Sequence, residues 1–157
     1  MPIVWRLTPP AYATTLDGEG SRLVGGRWNK RGTPVVYTSS HLSLCVLETY
    51  VHLPPMLRND LPEMEAVGIS VPDTARTTLV SAARFKSLLA QSDAFSACQA
   101  LGEEWFSPGD VLVLQVPSVI VPRETNLILN TQHPQMRDVR IVSAEPFRFD
   151  PRLSQGG

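Results

Sequence analysis

Short apolar runs alternate along the chain with stripes at helical spacing, and together they divide it into a series of elements. VWRL, closed by Pro9-Pro10, reads as a short strand. PVVYTS reads as a buried strand. HLSLCVLETYVHL follows as a helix, with Leu44, Leu47 and Val51 at helical spacing, Ser39 or Ser40 as its N-cap and Pro54-Pro55 as its stop. MEAVGISVP is extended, and RFKSLLAQSDAFSACQALGEEWF is helical, most weakly in its middle. After the turn at Gly109-Asp110, VLVLQVPS is the strongest strand signal, VIVPRETNLILN reads as an edge-like segment, and RIVSAEPFRF is a last strand. Strands and helices are mixed without strict βαβ alternation, which predicts an α+β domain rather than a doubly wound parallel sheet. A chain of 157 residues suits a single domain over 1–157, large enough to bury its own core.

The interval 11–34 breaks this pattern, being dense in Gly, Ser and Thr with little periodicity, and it predicts a long loop. Loops of that length inside a compact domain tend to carry function. This one contains GSRLVGGRWNKRG, with four glycines and four cationic side chains. Composition narrows the field further. Fourteen basic against fifteen acidic residues give a net charge of −1, a poor electrostatic footprint for nucleic acid. Cys45 and Cys98 lie in apolar helix-like stretches without CxxC spacing, which predicts packed thiols in a reducing compartment. The N-terminal residues do not read as a signal peptide and no run approaches a membrane span, so the expectation is a soluble cytoplasmic protein.

Several residues could do chemistry. In GGRWN the paired glycines allow the backbone close to a ligand, and the guanidinium of Arg27 can grip a phosphate or diphosphate. A plain glycine turn with an exposed Arg27 and Trp28 lying over the core fits the same residues. Tyr37, ending its strand, can stack on a flat heterocycle or serve as a core tyrosine. Glu48 sits among apolar neighbours on its helix, where a carboxylate needs a partner or a task. It can take the hydroxyl of a ribose and stabilise positive charge on the sugar as a glycosidic bond loosens, or it can pair with His52 one turn on. Ser118, ending the best strand, can point into a cleft but lacks the surroundings of a nucleophile. His41, His52 and His133 show no metal-ligand spacing and read as structural or surface residues.

Taken in order, GSRLVGGRWNKRGTPVVYTSS, LETYVHL, VLQVPSVIVPRETNLILN with its HP, and RIVSAEPFRFDPRL resemble the RES domain, named for an Arg, a Glu and a Ser. The resemblance spans nearly the whole chain. It implies a fold similar to the ADP-ribosyltransferase toxins and a toxin that consumes NAD as its substrate without a metal. It also implies a partner, an Xre-type helix-turn-helix antitoxin that blocks the pocket and supplies any contact with DNA, with a toxin homodimer as one arrangement open to the complex. The family's Arg falls on Arg27, its Tyr on Tyr37, its Glu on Glu48 and its Ser on Ser118, with Ser143 the alternative for the serine. The polar tract after the serine falls on Asn126 and Asn130. The chain departs from the family's habit at Thr131, where Pro is common, and at Thr38, where Ser is common.

The resemblance therefore implies Arg27 on the diphosphate, Tyr37 on the nicotinamide, Glu48 on the ribose, and Ser118 and Asn130 lining the pocket. Nicotinamide leaves NAD as a neutral molecule, so such a site needs orientation and electrostatic stabilisation more than a strong acid. Water, inorganic phosphate or a protein side chain could accept the sugar. NAD breakdown by hydrolysis or phosphorolysis is the leading expectation and ADP-ribosylation of a cellular protein the alternative. A non-catalytic binding module is the rival of a different class, and a nuclease fits the charge balance poorly.

Overall fold

A computed structural model describes residues 2–154; Met1 and residues 155–157 of the expected domain lie outside the described residues. The strands are β1 (Ile3–Thr8), β2 (Val35–Ser39), β3 (Met64–Ser70), β4 (Thr77–Leu79), β5 (Val113–Pro117), β6 (Thr125–Asn130) and β7 (Arg140–Phe147). They form one seven-stranded sheet in the order β4-β5-β6-β2-β1-β3-β7. Neighbours are antiparallel except β4 with β5, as an α+β domain requires. The helices are α1 (Glu19–Val24), α2 (Leu42–His52), α3 (Ala82–Leu89) and α4 (Ala94–Phe106).

Both faces of the sheet are covered, and that is why its central strands read as continuous apolar runs. Val36, Val67, Ile69, Val113 and Leu129 form one core with Ala13, Val71 and Val139. Val35, Leu114, Val116 and Ile128 form the other, beneath Phe85 and Leu88 of α3 and Cys98 and Trp105 of α4. Burying a side chain of this kind contributes about 1.5–3 kcal/mol. Trp28 joins the second core, its ring 5.7 Å from that of Phe85, so the loop after α1 is anchored by its largest apolar residue.

Four sequence expectations are corrected. The interval 11–34 is not all loop: α1 lies within it between Gly18 and Gly25, both at left-handed φ, and a six-residue helix bounded by glycines leaves little periodicity to read. The long helical stretch is two helices. Asp93 caps the second, its carboxylate accepting from Ser96 N at 3.1 Å and Ser96 Oγ at 2.8 Å, while Ser81 caps the first. The segment read as edge-like is β6, which pairs with β2 on one side and β5 on the other; Pro122 sits in the turn before it and costs no ladder bond. In α2 neither Ser39 nor Ser40 is the N-cap, which falls on His41 without a side-chain bond. Leu44 and Cys45 are its buried positions, whereas Leu47 and Val51 are 40% and 42% exposed. The short strand β4 had no sequence expectation at all.

β2 carries part of the site and borders a cleft against β1. β1 is registered with β3 over all six of its residues but with β2 at one pair only, Trp5 with Ser39. Beyond that pair the two strands part and leave a cleft of about 210 Å³ in the sheet.

Candidate active site

The cleft is lined by Arg6, Thr8, Gly18, Ser21, Val36 and Tyr37 among others. Tyr37 and Ser39 lie two residues apart on β2 and so share a face, about 7 Å along the strand. Opposite them across the β2–β6 register stand Ile128 and Asn126. Arg27, Tyr37, Glu48 and Ser118 therefore fall into two groups on either side of this stretch of β2, whereas Asn130 does not join them.

The first group surrounds Glu48. Ser118 Oγ donates to Glu48 Oε1 at 2.6 Å, and Asn126 Nδ2 donates to the same oxygen at 2.7 Å. Asn126 is held in turn by Ser39, whose hydroxyl donates to its Oδ1 at 2.7 Å. Ser118 is fully buried, and its oxygen accepts from Ile120 N at 3.1 Å and Val121 N at 3.0 Å. Both of these neutral side-chain donors thus fall on Oε1 of a half-buried carboxylate, and among the described residues Oε2 lies outside the network. The pairing with His52 does not occur; Glu48 turns toward β5 and β6. Ser39, expected as a helix cap, ends β2 and belongs to this network, while the N-cap of α2 falls on His41.

The second group surrounds Arg27. Gly26 and Asn29 close a small antiparallel bridge, with Gly26 N donating to Asn29 O at 2.9 Å, and this places Arg27 and Trp28 at its tip. Tyr37 Oη accepts from Trp28 N at 3.0 Å and donates to Asn29 Oδ1 at 2.6 Å. A side chain at Gly26 would come 2.7 Å from Tyr37 Oη, so the glycine is what lets the phenol reach the loop. Burial, with smaller offsetting contributions from Trp28, Asn29 and Arg27, holds the Tyr37 phenol well above the usual tyrosine range. It remains a neutral donor. Fully buried Asn29 gives Nδ2 to Ser21 O and Thr33 O, both at 3.0 Å. Arg27 is half-buried next to the Cys98 thiol, and no carboxylate pairs with it among the described residues.

Two further placements differ in kind from the expectations. Asn130 is at the opposite end of β6 from Asn126, about 13 Å along the strand. It is fully buried, gives Nδ2 to Phe106 O at 3.3 Å and accepts from Gln132 N at 2.9 Å, so its amide is spent on the turn that follows. Ser143 lies over Gly68 beside Trp5 and takes no part in the Glu48 network. Arg6 carries no sequence expectation, because VWRL reads simply as a strand. It lines the cleft, donating Nη1 to Thr15 O at 2.9 Å, and burial lowers its pKa from the usual arginine value against the pull of Asp17. An arginine inside a buried strand was the available signal.

The remaining candidates stand outside the site. Cys45 and Cys98 are both buried free thiols; Cys45 Sγ donates to Trp5 O at 2.9 Å, and burial raises both thiol pKa values. His41 is exposed and 3.3 Å from Glu124, and His133 caps the turn at Gln135. Among the described residues no group of three or more His, Cys, Asp or Glu side chains could hold a metal ion. None of their helices is long and apolar enough to cross a membrane. A wider groove of about 350 Å³ lies at the sheet's other edge, against β4, α3 and α4, and none of the expected site residues lines it.

The family profile described as RES domain matches residues 3–150. The chain belongs to the RES domain family. Relatives of the same family match over nearly their whole length. One from Sphingobium sp. (strain YBL2), named "Prs ADP-ribosylating toxin", is 35% identical over 156 residues, covering 95% of this chain and 94% of its own. Proteins named "Toxin Res" from Pseudomonas putida and Yersinia enterocolitica are 36% and 34% identical, each covering 96% of this chain and 99% of its own. The fold of this RES protein is also that of the M. tuberculosis MbcT–MbcA toxin–antitoxin complex, where the match has a TM-score of 0.72 at 22% identity and covers 98% of this chain and 87% of that one.

Proposed function

We propose that this RES-family protein is the toxin of a toxin–antitoxin pair and cleaves the nicotinamide–ribose bond of NAD on the face of the sheet where Tyr37 and Glu48 lie. The observation that carries this reading is the carboxylate of Glu48, fixed through one oxygen by Ser118 and Asn126. Its other oxygen is left to accept the ribose 2′-hydroxyl. A carboxylate held in that way stabilises the positive charge that builds on the ribose as the bond to nicotinamide lengthens. The leaving group departs neutral, so no residue has to give it a proton.

Arg27, half-buried and without a carboxylate partner among the described residues, holds the diphosphate, offering a planar fork for parallel bonds to its oxygens. The ring of Tyr37 lies between the two groups and packs on the nicotinamide. Its hydroxyl is already bonded to Trp28 and Asn29, so it acts as a fixed surface and not as an acid. Asn130 is left out of the site and assigned to its turn.

Hydrolysis or phosphorolysis, depleting cellular NAD, is the primary reading. Transfer of ADP-ribose to a protein is the second, favoured by the name of the 35% identical Sphingobium relative. The same pocket serves both, since they differ only in what attacks the sugar. The test is to incubate the protein with NAD, with and without inorganic phosphate, and then with cell extract, following nicotinamide by chromatography. Release without extract supports NAD breakdown, and dependence on phosphate names phosphorolysis. Release only with extract, leaving label on a protein, supports transfer. No release under any condition sinks both and favours a non-catalytic binding module.

The partner in this reading is an antitoxin of the Xre helix-turn-helix type, through which any DNA contact would come, acting in the cytoplasm. Leu47 and Val51, one turn apart beside Glu48 on α2, and Met56, 79% exposed in the turn that follows, give it an apolar landing next to the acidic side of the site. Mass measurement of the purified complex reads its stoichiometry, including whether it contains a toxin homodimer.

A further inference from the structure

The loop that presents Arg27 is held from outside by α4. Cys98, Gln99, Gly102 and Glu103 occupy one face of that helix by their spacing, and each meets the loop or its flank. Gln99 Nε2 donates to Gly26 O and Asn29 O, both at 3.0 Å, gripping the two residues whose bridge sets Arg27 and Trp28 at the tip. A Cβ on Gly102 would stand 1.7 Å from Trp28 O, so helix and loop are in backbone contact there. Glycine is among the least favoured residues for a helix interior, and here it leaves room for the loop. Glu103 Oε1 accepts from Thr33 Oγ1 at 2.6 Å and secures the loop's far end, while the Cys98 thiol lies beside Arg27 itself.

We propose that Gln99 is a positioning residue for substrate binding, acting through Arg27. Resting on the NAD reading above, this adds that the diphosphate grip depends on α4, a helix that touches the backbone of the Arg27 loop. A side chain on a five-residue loop is only as well placed as the loop's backbone, and two carbonyls next to Arg27 are fixed by one amide. Misplacing a group that binds the substrate alike in ground and transition states raises KM more than it lowers kcat.

The test is a double-mutant cycle on the full chain, in which Gln99→Leu removes both donors at similar volume. With wild-type Arg27 it is expected to raise KM for NAD about tenfold, the loss of two ordinary hydrogen bonds, with kcat within about twofold. In an Arg27→Ala background it is expected to change KM by less than about twofold, because the residue it positions is gone. Equal effects in both backgrounds, or no change in either, overturn the proposal. Gln99→Met serves in its place if the leucine variant melts early. Hydrogen exchange reads the same claim without turnover. The amides of Gly26 and Asn29 should exchange about tenfold faster in the variant while those of β5 and β6 are unchanged. If the wild-type protein releases no nicotinamide, the NAD reading falls by itself, and exchange alone decides the clamp: a loop exchanging at the wild-type rate overturns it.

Discussion

Glu48 is held by side chains gathered from across the chain, whereas Arg27 sits on five consecutive residues and is placed by their backbone. Around Glu48, Ser39, Asn126 and Ser118 come from β2, β6 and the end of β5, and each bond reaches seventy or more positions along the sequence. The carboxylate is thereby satisfied in advance, on one oxygen, by neutral donors. Around Arg27 the bonds go to the carbonyls and amides of its neighbours, and the guanidinium itself has no carboxylate partner among the described residues. The anion is oriented by its own contacts and the cation by the loop beneath it. Mutations should therefore separate the two regions. Changes at the Glu48 group should fall on the chemical step or on folding, and changes at the Arg27 loop on substrate affinity.

The largest effect is expected from Glu48→Gln. Its amide oxygen can still accept from Ser118 and Asn126, so the fold should melt at nearly the wild-type temperature. Nicotinamide release should drop about 100–1000-fold, the usual range for removing one transition-state electrostatic partner. A matching fall in melting temperature would make the residue structural. Arg27→Ala should raise KM for NAD by about 10–100-fold with a smaller change in kcat, as loss of charge-assisted bonds to a diphosphate would. Steady-state kinetics checks both, and a fall in kcat with KM unchanged would merge the regions that the comparison separates.

Stability measurements sharpen it further. Ser118→Ala strips the acceptor from two backbone N–H groups and a donor from Glu48, and should cost about 1–3 kcal/mol in denaturant unfolding. Asn130→Ala should also cost stability, about 1 kcal/mol, while leaving KM for NAD at the wild-type value. A raised KM there would return Asn130 to the site. The smallest effect is alkaline. The folded-state pKa of Tyr37 is raised, so its contribution is fully present below the unfolded phenol's pKa of about 10 and is lost as pH rises from there toward the folded value. The buried thiols act in the same direction from about pH 8.5. Tyr37→Phe should flatten the upper part of that decline in unfolding curves taken from pH 8 to 11. An unchanged slope would show that the phenol does not remain protonated on folding.

The two regions also differ in how far sequence reveals them. Strands such as β5 and β2 are legible because burial on both faces makes them continuous apolar runs. GGRWN, Tyr37 and Glu48 stand out because each is a residue type at odds with its surroundings, and the family resemblance puts them in order. Helix α1 was hidden because six residues between two glycines carry too little periodicity. The spacing of Leu44, Leu47 and Val51 marks helix α2, but spacing reports a shared face and not what covers it, and Leu47 and Val51 stay exposed. Long-range pairing accounts for the rest. Nothing local distinguishes Asn126, which reaches Glu48, from Asn130, which caps a turn, since both are asparagines ending one strand on the same face. Arg6 reads like any strand residue, because the parting of β1 from β2 beside it is set by long-range pairing.

The central claim is that these separately built regions bind one NAD molecule. Calorimetric titration of NAD onto Glu48→Gln protein, slowed in turnover but folded, tests it most directly when repeated on Glu48→Gln/Arg27→Ala. Saturable one-to-one binding is expected for the first protein and affinity at least about tenfold weaker for the second. Equal affinities, or no binding to either folded protein, would contradict it.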